Sequence, residues 1–366
     1  MNIAQQALNA DQNALNVTSN NVANQNTPGY TREVVTWQTN DVVSLSGGSY
    51  SAGVSSTAVS QRNRVLEQQV QQQIQVQGQS GALQSALQQV ENIFGLSSTS
   101  TSASTTALGS AVDSFFSSLS SLAANPSDTS TRQSVLAAAN SLASAFNSAS
   151  NQLTQVTSGL NQQVTSVVGQ VNSLTSTIAS LNQQIGSTSP HSDAGSLEDQ
   201  RQQAIAQLSA LVGLDQISTE NNGITLTTSN GAVLVDGGSS FALQTTLVGG
   251  NTDVVSSTGQ DVTTGLTGGQ LGGVLEARDQ QIPAYASALD NLAYAIGTQV
   301  NTQNEAGLDG NGNPGAALFT LTPTATGAAA AIQVATSDPS AVAAAAVGEG
   351  TSGNGNATAL SDLSSA

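Results

Sequence analysis

The chain has 366 residues, of which 8% are charged and 3% aromatic, with six arginines, no lysine, no cysteine and a formal net charge of −17. Its length allows two or more domains. The lack of cysteine excludes disulfides, thiol catalysis and cysteinyl metal sites, and the acidity argues against nucleic acid and against an anionic membrane surface as partners.

No run of about 18 apolar residues occurs, so no membrane-spanning helix is expected. The start, MNIAQQALNADQNALN, has neither a basic opening nor a continuous apolar stretch. No cleaved secretory signal is expected, and any export must use a route without one.

Residues 3 to 23 read as an amphipathic helix. Ile3, Ala7, Ala10, Ala14, Val17 and Asn21 follow alternating steps of four and three, and Leu8, Leu15 and Val22 repeat at seven. This is a weak coiled-coil seam, too rich in Asn and Gln to hold alone, so a partner strand is expected. The stretch Asn20 to Arg32, NNVANQNTPGYTR, then stops the helix. Asn24, Asn26, Pro28 and Gly29 are turn formers, and Pro28 turns Thr27 away from helical dihedrals.

From Val34 to Val59 the chain reads as extended and loop-rich, with short strands. Helical periodicity returns at Arg64 and runs through Leu66, Val70 and Ile74 to Phe94. Ser97 to Thr106 reads as a linker. Leu108, Val112, Phe115, Leu119 and Leu122 form the next stripe, broken at Asn125-Pro126-Ser127-Asp128, with Asp128 or Ser130 as the cap of the next helix. The clearest heptad pattern runs from Leu153 to Ile185, a helix of roughly 50 Å. Ser187 to Gly195 reads as a turn and Leu197 to Leu211 as a helix with Arg201, Ile205 and Leu208 on one side.

Residues 215 to 263 alternate apolar and polar positions between turns at Asn221-Asn222-Gly223, Asn230-Gly231 and Asp236-Gly237-Gly238, which predicts a small antiparallel β unit. A glycine-rich segment, Gly265 to Gly273, leads into a helix with Ile282, Tyr285, Leu289, Leu292 and Ile296 on one face and Pro283 near its start. Ala328 to Ala335 reads as a strand, and Asp338-Pro339-Ser340 as the start of a short Ala-rich helix. The chain stops at Ala366, partway through what reads as a helix start, so a truncated end is expected.

The predicted fold class is mainly α with a smaller β part. It is an elongated multi-domain molecule of long antiparallel helices or coiled coil plus an antiparallel β unit. Residues 1–33 are the coiled-coil helix and motif, 34–214 the first part of a helical domain and 215–265 the β domain. Residues 266–316 are the return helix of the helical domain, and 317–366 a strand, a short helix and a linker.

No constellation of catalytic residues emerges. His191, the single histidine, lies in a Ser/Pro/Gly turn near Asp193 without a nucleophile-elbow string. Asp309, Asn311 and Asn313 resemble half a calcium loop, but Thr320 stands where its closing Glu belongs, so a Gly/Asn turn is expected. The glycines near Gly268 lack a phosphate loop's Lys, which leaves close packing or a flexible joint. Glu198 and Asp199 open a helix, where they serve its dipole. Arg201 and Arg278 each read as members of local ion pairs. For Tyr30 and Trp37 two readings stand side by side: packing of the loop onto a helix, or contact with a neighbouring subunit. No cofactor, metal or enzymatic activity is expected.

Four segments carry a resemblance: Leu8 to Arg32; NPSDTSTRQSVL, Asn125 to Leu136; LEDQRQQAIAQLSALVGL, Leu197 to Leu214; and Gly268 to Gly315. In this order they resemble the axial proteins of the bacterial flagellum, and among these the hook-associated protein 1 (hook–filament junction) family. Where the family often has a His before the glycine of the last loop, this chain has Asn304 and Glu305. The family also carries a few more residues at the start and a closing amphipathic helix that pairs with the first, so both are expected to be missing here.

The resemblance implies a structural role at the junction between hook and filament, in an extracellular location reached through type III export. It implies partners too: copies of the chain in a helical or ring array, the hook protein, a second hook–filament junction protein, and an export chaperone bound through the missing C-terminal region. The assembly motif it implies is Asn20, Asn21, Asn24, Asn26, Thr27, Pro28, Gly29, Tyr30 and Arg32. A secreted or surface-attached adhesin or autotransporter passenger is the alternative that composition allows; it predicts a signal peptide, repeated β-rungs and a membrane anchor.

Overall fold

The structure is a computed structural model that describes residues 2–27, 29–40, 42–45, 48–51, 53–95, 107–188, 194–218 and 223–365. Pro28, the expected linker up to Thr106, His191, Asp193 and the Asn221-Asn222 pair lie outside the described residues. No helix among the described residues is long and apolar enough to cross a membrane.

The chain divides into two compact units, one of residues 1–83 and 161–275, the other of 84–160 and 276–366. Two long helices, α2 (Arg64–Phe94) and α4 (Thr129–Thr188), contribute residues to both. The pattern from Leu153 to Ile185 belongs to α4, a single helix of 60 residues. It begins where Asp128 accepts the N–H of Ser130 at 2.9 Å and the hydroxyl of Ser130 at 2.8 Å. Asp128 is therefore the cap and Ser130 its donor.

The first unit opens with α1 (Asn2–Ala23). Four strands follow, β1 (Glu33–Thr39), β2 (Val42–Leu45), β3 (Gly48–Ser51) and β4 (Val54–Ser60), in two antiparallel pairs, β1–β4 and β2–β3. Helix α5 (Gly195–Leu211) leads to a four-stranded antiparallel sheet of β5 (Leu214–Ser218), β6 (Ile224–Thr228), β7 (Val233–Asp236) and β8 (Ser239–Ser240) in sequence order. A separate hairpin pairs β9 (Gln244–Val248) with β10 (Asn251–Val255). The expected β unit is thus two sheets.

Its attachment to α4 rests on asparagines. Asn172 donates to the carbonyl of Leu243 and accepts its N–H, both at 2.8 Å. Asn182 donates to the carbonyls of Ile224 and Gly237, and Asn161 grips Gly250 and Thr252 in the same two-sided way. A carboxamide offers a donor and an acceptor side by side, so it pairs with backbone as a strand would. Helix α6 (Gly269–Glu276) packs against α2 so closely that a Cβ on Gly273 would collide with the Gln79 carbonyl. Close backbone packing is therefore what the glycine-rich segment supplies.

In the second unit α3 (Ala107–Ala124) packs on α9 (Gly355–Asp362). The Phe115 ring meets the rings of Phe116 and Phe319 edge to face, at 5.4 and 5.7 Å. A π-helical turn, Ala277–Gln281, precedes α7 (Ile282–Glu305). Pro283 near the start of α7 lacks the N–H that an unbroken α-ladder would use there, which suits a local widening. The buried face of α7 differs from the expected one: Ile282 and Leu289 are buried, but Ala293, Gly297, Val300 and Asn304 continue the face while Tyr285 and Leu292 are exposed.

The tail holds β11 (Gly307–Leu308), β12 (Phe319–Thr320), α8 (Ala328–Ala331), β13 (Gln333–Val334) and β14 (Ala345–Ala346). Ala328 to Ala335 is therefore a helical turn followed by a short strand, since the alanines at its start favour helix. After Asp338 comes only a three-residue 3₁₀ turn, Pro339–Ala341, in place of the expected Ala-rich helix. The alanines beyond it are buried in β14 and the segment before it. Asn304 fixes this region: it donates to the carbonyls of Ala316 and Ala341 and accepts the N–H of Ala343. Buried Arg132 donates to the carbonyls of Pro126 and Val342, tying the start of α4 to the tail.

Candidate assembly motif and its anchorage

Helix α1 stops at Ala23. Beyond it the Asn24 N–H and side-chain amide both donate to the Asn20 carbonyl, at 3.0 and 3.1 Å. The Thr27 N–H returns to the Asn24 carbonyl at 2.9 Å, and the Tyr30 N–H to that of Thr27 at 3.2 Å. Gly29 has φ +81°, a left-handed conformation that costs a side-chain-bearing residue energy. The chain then reverses onto its own helix. Asn21 donates to the Glu33 carbonyl at 2.8 Å and accepts the Glu33 N–H at 3.0 Å, and the Tyr30 hydroxyl donates to the same Asn21 oxygen at 2.9 Å. Tyr30 thus packs its hydroxyl onto α1, whereas Trp37 is half exposed on β1. Asn26 and Arg32 have exposed side chains, and the Arg32 carbonyl accepts the Gln61 N–H.

An ionic cluster holds the far end of the loop. Asp199 on α5 accepts the Thr31 N–H at 3.1 Å and the Thr31 hydroxyl at 2.7 Å. Arg62 reaches the same carboxylate at 2.5 Å, Glu198 at 3.0 Å and the Gly195 carbonyl at 3.1 Å, with Glu67 at 3.7 Å. Burial pushes Glu67 above its ordinary pKa despite Arg62 and Arg64. Burial lowers Arg201 to about 10, partly offset by Glu198, and its guanidinium donates to Asn182 at 2.9 Å. Asp199 therefore does more than serve the helix dipole: it clamps a loop more than 160 positions earlier in the sequence, while Glu198 holds Arg62 beside it. Arg62 gave no signal in the sequence, because its partners are distant along the chain.

The seam expected along α1 is split in two. Ala10 and Val17 are buried, and Asn13 donates to the Ser56 hydroxyl, so this side lies against β4. Leu8, Leu15 and Val22 form a separate stripe that is 59%, 67% and 63% exposed.

The remaining candidates are structural. Asp309 spends its carboxylate on the N–H groups of Asn311 and Asn313, both at 2.8 Å. Burial opposes its ionisation, but these bonds carry its pKa below the ordinary value. Arg278 pairs with Asp279 through two bonds, at 2.7 and 2.9 Å. Among the described residues no three His, Cys, Asp or Glu side chains converge to hold a metal.

Two families match the chain. The flagella basal body rod protein family matches residues 1–31, covering α1 and most of the motif. The flagellar hook-associated protein FlgK helical-domain family matches residues 87–319, more than half of the sequence. The chain belongs to the FlgK family. Over 340 residues it is 32% identical to flagellar hook-associated protein 1 of Escherichia coli (strain K12), covering 88% of this chain and 60% of that protein. The Salmonella typhimurium protein of the same name is 31% identical, with 88% and 59% covered. The chain thus spans about three-fifths of the length of these curated relatives. Among solved structures, the flagellar hook junction protein FlgK from Burkholderia pseudomallei aligns with a TM-score of 0.65 and 27% identity, over 76% of this chain and 66% of that one. The mainly α fold with small antiparallel sheets is therefore a FlgK-type fold, and the FlgK helical-domain match takes in α3, α4, α5, α6 and α7.

Proposed function

We propose that the chain is a structural, non-enzymatic component of the bacterial flagellum at the junction between hook and filament. Membership of the FlgK family carries this reading, and the exposed Leu8, Leu15 and Val22 stripe supports it. The stripe packs against a second amphipathic helix in the assembled flagellum, which completes a coiled-coil seam. The motif from Asn20 to Arg32, with Asn21, Asn24, Asn26, Thr27, Pro28, Gly29 and Tyr30, sets the direction in which the chain leaves that seam. Copies associate head to tail in a helical or ring array, with the hook protein on one side and a second junction protein on the other. The chain is extracellular, exported through the flagellar type III apparatus without a cleaved signal and escorted by an export chaperone.

Immunogold labelling of isolated flagella tests this. The reading predicts label at the hook–filament boundary; label over the cell surface with bare flagella would overturn it and favour an adhesin. For the motif, Tyr30→Phe and Asn24→Ala are expected to keep the helical circular-dichroism signal and to lower incorporation into flagella. Global loss of helix in either variant would contradict the assignment of these residues to assembly.

A further inference from the structure

Beside the motif lies an open groove of roughly 410 Å³. Leu66, Val70 and Ile74, one stripe of α2, line one side, and Ala206 and Tyr30 contribute to the rest. Leu66 and Val70 are more than half open to solvent or close to it. Gln71 also lines the groove; it is 6% exposed, yet its amide nitrogen has no partner among the described residues. An unpaired buried amide is costly, so an incoming carbonyl that meets it once the amide turns would relieve the free chain.

Charge narrows the occupant. Arg62, Arg64 and Arg201 interleave with Glu67, Glu198 and Asp199 beside this site. Three cations cancel three carboxylates, so the whole net charge of −17 falls on the rest of the chain. A like-charged copy meets least repulsion at such a neutral island, provided that it presents an uncharged face. The β9–β10 hairpin is one. Gln244 to Thr252 carry no charge, and Leu247 and Val248, on opposite faces of the ribbon, are 74% and 55% exposed. The tip is held rigidly, by the positive φ of Gly249 and Gly250 and by the grip of Asn161.

We propose that the tip of the β9–β10 hairpin of one copy docks into the Val70–Gln71 groove of the next, as a heterologous contact of the array. Leu247 enters beside Val70 and Ile74, and a hairpin carbonyl accepts from the Gln71 amide. This rests on the reading of the chain as an array-forming flagellar subunit.

The cysteine-free sequence makes cross-linking free of background. The full protein carrying Val70→Cys and Leu247→Cys together is expressed in flagellated cells, and isolated flagella are oxidised. The expected result is a ladder of disulfide-linked dimers and higher species, absent from either single variant, since a bridge needs Cα atoms within about 7 Å. Dimers from Val70→Cys alone, or no ladder from incorporated double variant, would overturn the proposal. Val70→Asp keeps the test open if the pair fails to incorporate. Folded with the parent's circular dichroism, it is expected to incorporate at least about tenfold less; incorporation at the parent's level would also overturn the proposal. If the unmodified chain is missing from flagella, the junction reading itself falls. If it is present and the double variant gives no ladder, only the groove proposal falls.

Discussion

Helices α1 and α4 share one kind of sequence, apolar residues at heptad steps among Asn, Gln, Ser and Thr, and the fold treats them in opposite ways. Along α4 Leu153, Leu160, Val164, Val167, Val171, Ile178, Leu181 and Ile185 are all buried. Along α1 Ala10 and Val17 are buried while Leu8, Leu15 and Val22 stand in solvent. The same pattern therefore serves folding in one helix and is left open in the other. Covering one such side chain is worth about 1.5–3 kcal/mol, so the open stripe holds back a contact that a partner helix can supply.

The contrast can be broken most strongly in α4. Ile178→Ala is expected to cost about 2–5 kcal/mol, because a fully buried side chain leaves a cavity; urea unfolding followed by circular dichroism measures it. A loss under about 1 kcal/mol would mean that the α4 seam is not a core. Next comes Asn172→Ala, which removes both bonds to Leu243 and is expected to cost about 1–3 kcal/mol. Faster amide exchange at Leu243, with α4 itself still protected, is the local sign of that loss.

Acid acts on the start of α4. Bonds from Ser130, first its backbone N–H, hold Asp128 below its ordinary pKa. A depressed folded pKa gives stability that is present above the unfolded value of about 3.9 and is lost as pH falls through the lower, folded one. The first turn of α4 is therefore expected to fray as pH drops below about 4. In Asp128→Asn that pH dependence disappears; an unchanged acid response would show that the cap does not control this helix end.

The helices were legible in the sequence because their apolar periodicity is local: α1, α2, α3, α4 and α5 begin or end within a few positions of where the pattern places them. The tail from Ala328 onward was not, since alanine suits both a helical turn and a buried strand, and packing decides between them. Nor were the asparagines. Asn21 reads as a member of the α1 seam, and Asn172, Asn182 and Asn304 carry no local signal of a structural role, yet each pairs with backbone, at a separation of 12 positions for Asn21 and 71 for Asn172. In a chain with so few charges these amides do the fastening that ion pairs do elsewhere. The motif was visible as a string, but its clamp by Arg62 and Asp199 depends on tertiary contacts that no local pattern encodes.

On the proposed reading the α1 stripe serves assembly and not the folding of this chain. Replacing Leu8, Leu15 and Val22 together by Gln tests it, with thermal unfolding and incorporation into flagella read on the same variant. Exposed substitutions change stability by about 0.5 kcal/mol or less each. The expected result is a melting transition close to the parent's, together with loss of the chain from the hook–filament boundary. A melting transition lowered as far as that of Ile178→Ala, or normal incorporation of the triple variant, would contradict it.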